Sequence, residues 1–362
     1  MGLLLLFALG LAVPLAYRYR VGSRLRQAVL TRWVRPRFDP AAHGLPPREQ
    51  LDPHRAGPPP SAHRAEEVRA VAHGARDGDW RPAAAFVEAA GRDWDERWHR
   101  QELLRLTADR NGTWLDAWLR ARPDDGVAAT VRAQLLLHRA WAIRGDELAD
   151  RVPAGRMARF MVQLGTALEA AREAAALAPE DPGPWVVMVT AARGLRYDHD
   201  EFRPLWEELS ARAPHHYEGH CQALQYWCAK WAGTNGLMTE FAERAVHGAP
   251  AGSPLAGVYL HALRELALRP GSSARPSSRA AGDLLETVAR SLDLVPDDDR
   301  VVPGLRHLLA HYLVEARRYD AALEQFRRLG PWCGAQPWTD GRDPVAAFDL
   351  ARGVAALGAR RN

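Results

Sequence analysis

The stretch "LLAHYLVEARRYDAALEQFRRLGP", residues 308–331, contains two short helical patterns joined by a turn and closed by a proline. On each side of the turn, apolar residues recur every three or four positions, the spacing typical of an α-helix with one buried face. Pro331 ends the second pattern, because proline lacks the amide hydrogen that a helix interior needs. The stretch therefore predicts a pair of helices that pack against each other.

Closing prolines recur along the chain at nearly constant spacing. They lie at positions 179, 214, 250, 296 and 331, at intervals of 35, 36, 46 and 35 residues. The long interval contains a Ser/Pro-rich insertion, "RPGSSARPSSRAAG". A period near 34 residues with two helices per unit is typical of tetratricopeptide-type repeats, which this pattern resembles.

One helical hairpin cannot bury its apolar face alone, so neighbouring hairpins must stack and share a core. We expect about seven hairpins, at 61–91, 92–123, 124–179, 184–214, 215–250, 251–296 and 297–331, with a capping helix at 344–357. The predicted fold is all-α, a tetratricopeptide-like α-solenoid preceded by an N-terminal membrane-anchor helix. The first helix of each pair would line a concave groove, where such arrays bind peptide segments.

A finer resemblance covers about residues 113–247. "AWAIRG" at 140–145 ends one helix, and "KWAGT" at 230–234 forms a turn between two others. With the helical stretches around them, these motifs are similar to those of a bacterial helical-repeat family known as a domain of unknown function. The resemblance implies a fold and no activity.

The N-terminal residues suggest attachment to a membrane. "LLLLFALGLAVPLAY", residues 3–17, is apolar and uncharged, and we expect 1–17 to be an uncleaved anchor, although about 20 residues normally span a bilayer. Residues 18–38 fit a basic amphipathic helix on the membrane surface, or only a positively charged flank of the anchor. The residues expected at the lipid surface are Arg18, Arg20, Arg24, Arg26 and Trp33.

The order of the segments sets the expected topology. A proline-rich linker at 39–62 would connect the anchor to a helical repeat domain at 61–362. Arginines after the apolar run favour the cytoplasmic face of the cell membrane. The alternative is a cleaved secretory signal and an exported surface-interaction protein, although no basic residue precedes the apolar run.

The basic charge of the chain is concentrated near its start. Residues 1–37 contain seven arginines and no acid, which leaves 41 basic against 44 acidic residues in the remainder. Such a patch beside an apolar run favours anionic lipid headgroups. No basic stripe with interleaved aromatic residues follows, so nucleic acid is not expected as a partner.

The stretch "HHYEGHCQALQYWCAKW", residues 215–231, concentrates histidine, cysteine and tryptophan. We predict a helix from about Tyr217 to Trp231, with both cysteines as core residues on one apolar face. His216 and His220 stand one turn apart and could bind zinc, so a metal-dependent hydrolase is the alternative function. No third ligand is found nearby, which favours structural histidines and no cofactor.

His307 and His311 form a second pair one turn apart, in another first helix. They could face the groove and respond to pH, since histidine titrates near neutrality. Hydrogen-bonded structural histidines are the favoured interpretation.

Sequence patterns typical of enzymes are missing. There is no GxGxxG after a strand, no GxxxxGK[ST] and no GxSxG. We therefore predict a membrane-tethered scaffold for an unknown protein or peptide, with no catalytic residues, whose aromatic and basic side chains anchor the partner. The candidate peptide-binding residues are His220, Gln225, Trp227 and Lys230.

Overall fold

The computed structural model describes residues 32–145, 147, 151–269, 276–296 and 298–359. These residues form α-helices and short 3-10 turns without any β-strand, and one isolated bridge joins Asp52 to Trp332. The predicted all-α class is confirmed. The predicted anchor at 1–17 and Arg18, Arg20, Arg24 and Arg26 lie outside the described residues. Within the described ranges, no helix has the length and apolar character needed to cross a membrane.

The chain divides into two compact units. Residues 60–250 form one, and the other combines residues from 251 onward with residues before 60. The repeat domain predicted at 61–362 therefore extends over both units.

The described part of the unit at 60–250 contains ten α-helices, arranged along the chain as five pairs. They are α1 (Ala62–Asp77), α2 (Arg81–Glu88), α3 (Trp94–Arg110), α4 (Thr113–Ala121), α5 (Gly126–Arg144), α6 (Ala154–Leu177), α7 (Gly183–Leu195), α8 (His199–Arg212), α9 (Tyr217–Tyr226) and α10 (Asn235–Gly248). Each of the five hairpin ranges predicted between 61 and 250 contains one of these pairs.

Contacts between these helices follow the order of the pairs. Helices α5 and α6 pack together along their length, while α7 contacts α8 and α9 contacts α10 less extensively. The first helices also touch one another in sequence, with α3 against α5, α5 against α7 and α7 against α9. The apolar face of each first helix is therefore covered from more than one side, and α7 is buried along most of its length.

Helix starts are fixed by side chains that accept otherwise unsatisfied amide hydrogens. Asp125 accepts from the amides of Val127 and Ala128 at the start of α5, and its second oxygen accepts from Trp118 Nε1 at 2.9 Å. Asp198 and Glu201 form a reciprocal capping box at the start of α8. The Asp125 carboxylate thus fixes the start of α5 and also holds α4 against it.

The unit that includes residues 251–359 contains five α-helices in its described part. They are α11 (Val258–Ala267), α12 (Arg279–Leu292), α13 (Val302–Glu315), α14 (Tyr319–Leu329) and α15 (Pro344–Ala359). Helix α13 contacts α11, α12, α14 and α15. Its central position explains why nine of its fourteen residues are buried.

Residues 39–58 pack against these C-terminal helices, and we call this segment the strap. Leu45 and Leu51 are buried, and Asp52 bridges to Trp332. The Arg352 guanidinium, fully buried in α15, donates to the Pro46 carbonyl at 2.6 Å. The proline-rich residues predicted as a linker therefore contribute core side chains and hydrogen bonds to a folded unit.

Candidate peptide-binding surface

The histidines of the 215–231 stretch are built into the start of helix α9. His216 is 2% exposed, and its Nδ1 accepts from the amide of Gly219 at 3.1 Å, so it caps the helix. The His220 ring lies against Trp206 and Phe241, with ring centroids 5.0 and 5.7 Å away. Burial lowers the pKa of both histidines to about 4. Both are therefore neutral packing and capping residues at neutral pH.

Helix α9 ends at Tyr226, five residues earlier than the predicted end at Trp231. The chain turns back on itself, and a Cβ atom on Gly233 would lie 1.9 Å from the Trp227 carbonyl oxygen. Gly233 is therefore required by close backbone approach, and Trp227 is the residue at the helix C-terminus. Helix α10 begins after Thr234, whose Oγ1 accepts from the amide of Leu237.

The cysteines occupy apolar surroundings. Cys228 and Cys333 are 0% exposed, Cys221 is half-buried, and all three are free thiols. Burial raises the pKa of Cys221 well above its usual value and that of Cys333 to about 11. A thiol in such a setting carries little of the reactive thiolate.

The zinc alternative depends on further ligands around His216 and His220. Within the described part of the chain, no group of three or more His, Cys, Asp or Glu side chains is placed to hold a metal ion. His216 Nδ1 already accepts a backbone hydrogen bond, and His220 Nδ1 lies 2.9 Å from the His216 carbonyl oxygen. Both rings thus have a nitrogen committed to the helix itself.

The four candidate peptide-binding residues do not share one surface. His220 faces α8 and α10, and Trp227 packs beside His199 and Phe202, 4.9 and 5.7 Å between ring centroids. Gln225 is half-buried, whereas Lys230 is exposed in the turn that follows α9. Lys230 is the member of this set whose side chain is exposed.

The residue after Lys230 belongs to a group of side chains that we call the Trp–Arg cluster, defined as Trp141, Arg144, Arg193 and Trp231. The two indole rings stand nearly perpendicular, 88° and 5.6 Å apart. Arg144 Cζ lies 5.7 and 5.4 Å from the centroids of Trp141 and Trp231, and Arg193 Cζ lies 4.8 and 5.4 Å from them. All four residues are half-buried.

This cluster crosses three successive first helices. Trp141 and Arg144 come from the end of α5 and Arg193 from the end of α7, while Trp231 comes from the turn after α9. Arg193 Nη1 donates at 3.0 Å to Gln222 Oε1 on α9. The ends of α5 and α7 and the turn after α9 thus contribute side chains to one cluster.

Sequence reasoning missed this arrangement, although it had singled out the motifs that form it. Trp141 lies in "AWAIRG" and Trp231 in "KWAGT", 90 residues apart along the chain. The Arg-Gly pairs at 144–145 and 193–194 recur near the ends of α5 and α7. This repetition is the feature that could have indicated the cluster.

The membrane-surface prediction reaches the described residues only at its end. Trp33 is 39% exposed, and Arg37 lies over its ring with 5.1 Å between Cζ and the centroid. The next residue, Val34, is 2% exposed, and a Cβ atom on Gly353 of α15 would meet its Cγ1. Trp33 therefore faces outward at a point where its neighbour is anchored in the core.

Comparison of the chain with protein-family models, with curated proteins and with solved structures gives no match in any of the three. The resemblance of residues 113–247 to a bacterial helical-repeat family stays a prediction.

Proposed function

We propose that this protein is a membrane-tethered scaffold that binds a protein or peptide segment along the first helices of a tetratricopeptide-like α-solenoid. The proposal is supported by the sequential contacts of α3, α5, α7 and α9, the neighbour-to-neighbour packing expected of stacked hairpins. No catalytic step is assigned to any residue.

The observation that carries the proposal is the side-chain contact across α5, α7 and α9. Trp141, Arg193 and Gln222 lie on successive first helices, each contacts the next, and each is half-buried. Aromatic and arginine side chains are the residue types that supply most binding energy in protein interfaces. A segment lying across them would contact three hairpins at once.

The tether is the second part of the proposal. An anchor at 1–17 and the basic residues after it would hold the chain at the cytoplasmic face of the membrane, where it raises the local concentration of its partner. The outward-facing Trp33 is the described residue that supports this orientation, since tryptophan favours the membrane interface.

Selection of binding peptides tests the scaffold function directly. The full-length chain, purified in detergent, would be screened against a random 12-residue peptide library, and the enriched peptides measured by fluorescence anisotropy. We expect a shared motif and a fivefold or greater weakening in the double variant Gln222→Ala/Lys230→Ala. Trp227 is left intact, because its ring packs against α8.

The matched control is Gln163→Ala/Arg172→Ala, which removes one glutamine and one positive charge from the second helix α6. It should bind enriched peptides like the unaltered chain. Failure to enrich any peptide, or equal weakening in both double variants, would contradict groove binding. Co-sedimentation with anionic vesicles tests the tether separately, and an Arg18→Gln/Arg20→Gln/Arg24→Gln variant should sediment less.

A further inference from the structure

The Trp–Arg cluster places two cations against the same two aromatic rings. Arg144 and Arg193 each lie within 6 Å of the centroids of both Trp141 and Trp231. Two guanidinium groups that share the same two rings attract an anion more strongly than either group would alone. The cluster therefore has the charge arrangement of an anion site.

Its hydrogen-bonding groups are donors. A guanidinium that stacks on a ring face keeps its N–H groups in its own plane, where they can pair with both oxygens of a carboxylate. Arg144 donates to the Gly145 carbonyl, and among the described residues it forms no ion pair with a carboxylate. The buried Nε1 donors of Trp141 and Trp231 find no acceptor within the described residues and add positive partial charge.

Gln222 connects Arg193 to the carboxylate of Glu218, which lies on the same helix, α9. Glu218 Oε1 accepts from Gln222 Nε2 at 2.6 Å, while the Gln222 carbonyl oxygen accepts from Arg193. The Gln222 amide therefore helps to fix the position of the Arg193 guanidinium in the cluster. Lys230, exposed and adjacent to Trp231, adds a third positive charge to this side of the unit.

We propose that the Trp–Arg cluster is the specificity site of the scaffold and that it binds the side-chain carboxylate of a glutamate or aspartate within an acidic peptide segment. This inference rests on the peptide-binding function proposed above. Arg144 and Arg193 pair with the carboxylate, and the half-buried faces of Trp141 and Trp231 cover the methylene groups next to it. The site selects acidic over basic segments because Arg144, Arg193 and Lys230 give this surface a positive charge.

Fluorescence anisotropy with defined peptides tests the proposal on the full-length chain in detergent. The probe is a rhodamine-labelled 12-residue peptide of alternating glutamate and alanine, with acetylated and amidated ends. Its comparison peptide has glutamine in place of each glutamate. We expect the glutamate peptide to bind at least tenfold more tightly, and Arg144→Gln/Arg193→Gln to abolish that preference.

Two controls separate a specific site from general attraction to a basic chain. Arg32→Gln/Arg35→Gln removes equal charge from the N-terminal basic region and should leave the preference unchanged. Arg144→Lys/Arg193→Lys keeps the charge but not the paired donors, and should retain only part of it. Circular dichroism establishes that each variant is folded.

Several results would overturn the inference. They are equal binding of both peptides by the unaltered chain, a preference that survives in Arg144→Gln/Arg193→Gln, or its loss in the N-terminal control. A free C-terminal carboxylate on the glutamine peptide that restores tight binding would also overturn it, since the site would then recognise chain ends. If library peptides bind without regard to acidity, the scaffold function stands and only this site assignment fails.

Discussion

Trp338 Nε1 donates a hydrogen bond to His307 Nδ1 at 2.9 Å, in the core of the C-terminal helices. An indole nitrogen only donates, so His307 Nδ1 is unprotonated and the ring proton lies on Nε2. Nε2 is in turn 2.9 Å from the carbonyl oxygen of Ala56 in the strap. One neutral imidazole therefore joins the strap, helix α13 and the loop that carries Trp338, and the second histidine pair is structural at this position.

The neutrality of His307 predicts that the fold weakens as the pH falls below neutrality. Burial lowers the pKa of His307 to about 4, against 6.5 in an unfolded chain. Between these values the unfolded chain binds more protons, so the free energy of unfolding is largest above pH 6.5 and declines toward pH 4. For one such group the decline from pH 6.5 to 5 is about 2 kcal/mol.

Urea unfolding followed by circular dichroism at pH 5.0 to 7.5 measures this slope. His216, His220 and His261 have pKa values lowered to about 4 by burial and act in the same direction. Burial also lowers the pKa of His311. His307→Gln removes one of these titrating groups and should flatten the slope below pH 6.5. An unchanged slope in that variant would show that His307 does not titrate with unfolding.

Alanine substitutions at two glycines near the turn after α9 should change the stability of the chain in different ways. Gly233→Ala places a Cβ atom 1.9 Å from the Trp227 carbonyl oxygen and should destabilise the chain by about 1–3 kcal/mol. Gly236→Ala, at the start of α10, meets only Thr234 Oγ1 at 3.7 Å. It should be neutral or stabilise by up to about 1 kcal/mol, because alanine favours the helix.

Thermal unfolding of the two alanine variants side by side checks this prediction. A lower midpoint for Gly233→Ala alone supports the tight turn. Equal midpoints would mean that the turn has room for a side chain and that α9 could continue toward Trp231.

The position of the helices could be predicted because the residues near each helix end determine where the helix starts and stops. Pro179 follows α6, Pro214 follows α8 and Pro331 follows α14, and each interrupts the amide hydrogen bonds that a helix needs. Aspartate and threonine residues at helix starts are the second local signal, because their side chains accept hydrogen bonds from the first amides of the helix. Both features act over a few residues, so the sequence alone locates them.

The candidate site could not be predicted in the same way, because burial depends on neighbours distant in the sequence. His220 and Trp227 are polar or aromatic residues on a first helix, a pattern that suits a binding surface. In the structure Trp206, Phe241 and Phe202 cover them. The Trp–Arg cluster, by contrast, needs residues 141 and 231 to meet, which no local pattern indicates.

The strap predicts a large cost for removing the buried Arg352 guanidinium. It donates to Pro46 and to Asp349, and it lies over the Phe38 ring at 5.5 Å. Arg352→Met should destabilise the chain by about 1.5–3 kcal/mol, since the Pro46 carbonyl loses a charged donor and Asp349 keeps only Arg48 as a cationic partner among the described residues.

Limited trypsin digestion measures how well the strap stays packed in the Arg352→Met variant. Cleavage after Arg48 and Arg55 should become faster than in the unaltered chain. The control is Arg172→Met, whose exposed side chain pairs with Glu169 one turn away and should change neither stability nor digestion. Unchanged digestion in Arg352→Met would show that the strap does not depend on this guanidinium.

We expect Asp181 to couple the stability of two hairpins in the unit at 60–250. Its Oδ2 accepts from Arg97 Nε at 3.0 Å, on helix α3, and its Oδ1 accepts from the amide of Gly183 at 2.8 Å, at the start of α7. The side chain is 5% exposed, so this ion pair is shielded from water and close to the positive end of a helix. Asp181→Asn keeps an acceptor for Gly183 but leaves the Arg97 charge without its counterion, and should cost about 3 kcal/mol.

A double-mutant cycle with Arg97→Met, measured by urea unfolding, tests this coupling. The double variant should lose less free energy of unfolding than the two single variants lose in sum. Glu240→Gln, in an exposed pair with Arg244, should cost less than about 0.5 kcal/mol. Additive effects at Arg97 and Asp181 would mean that the two hairpins are held by apolar packing alone.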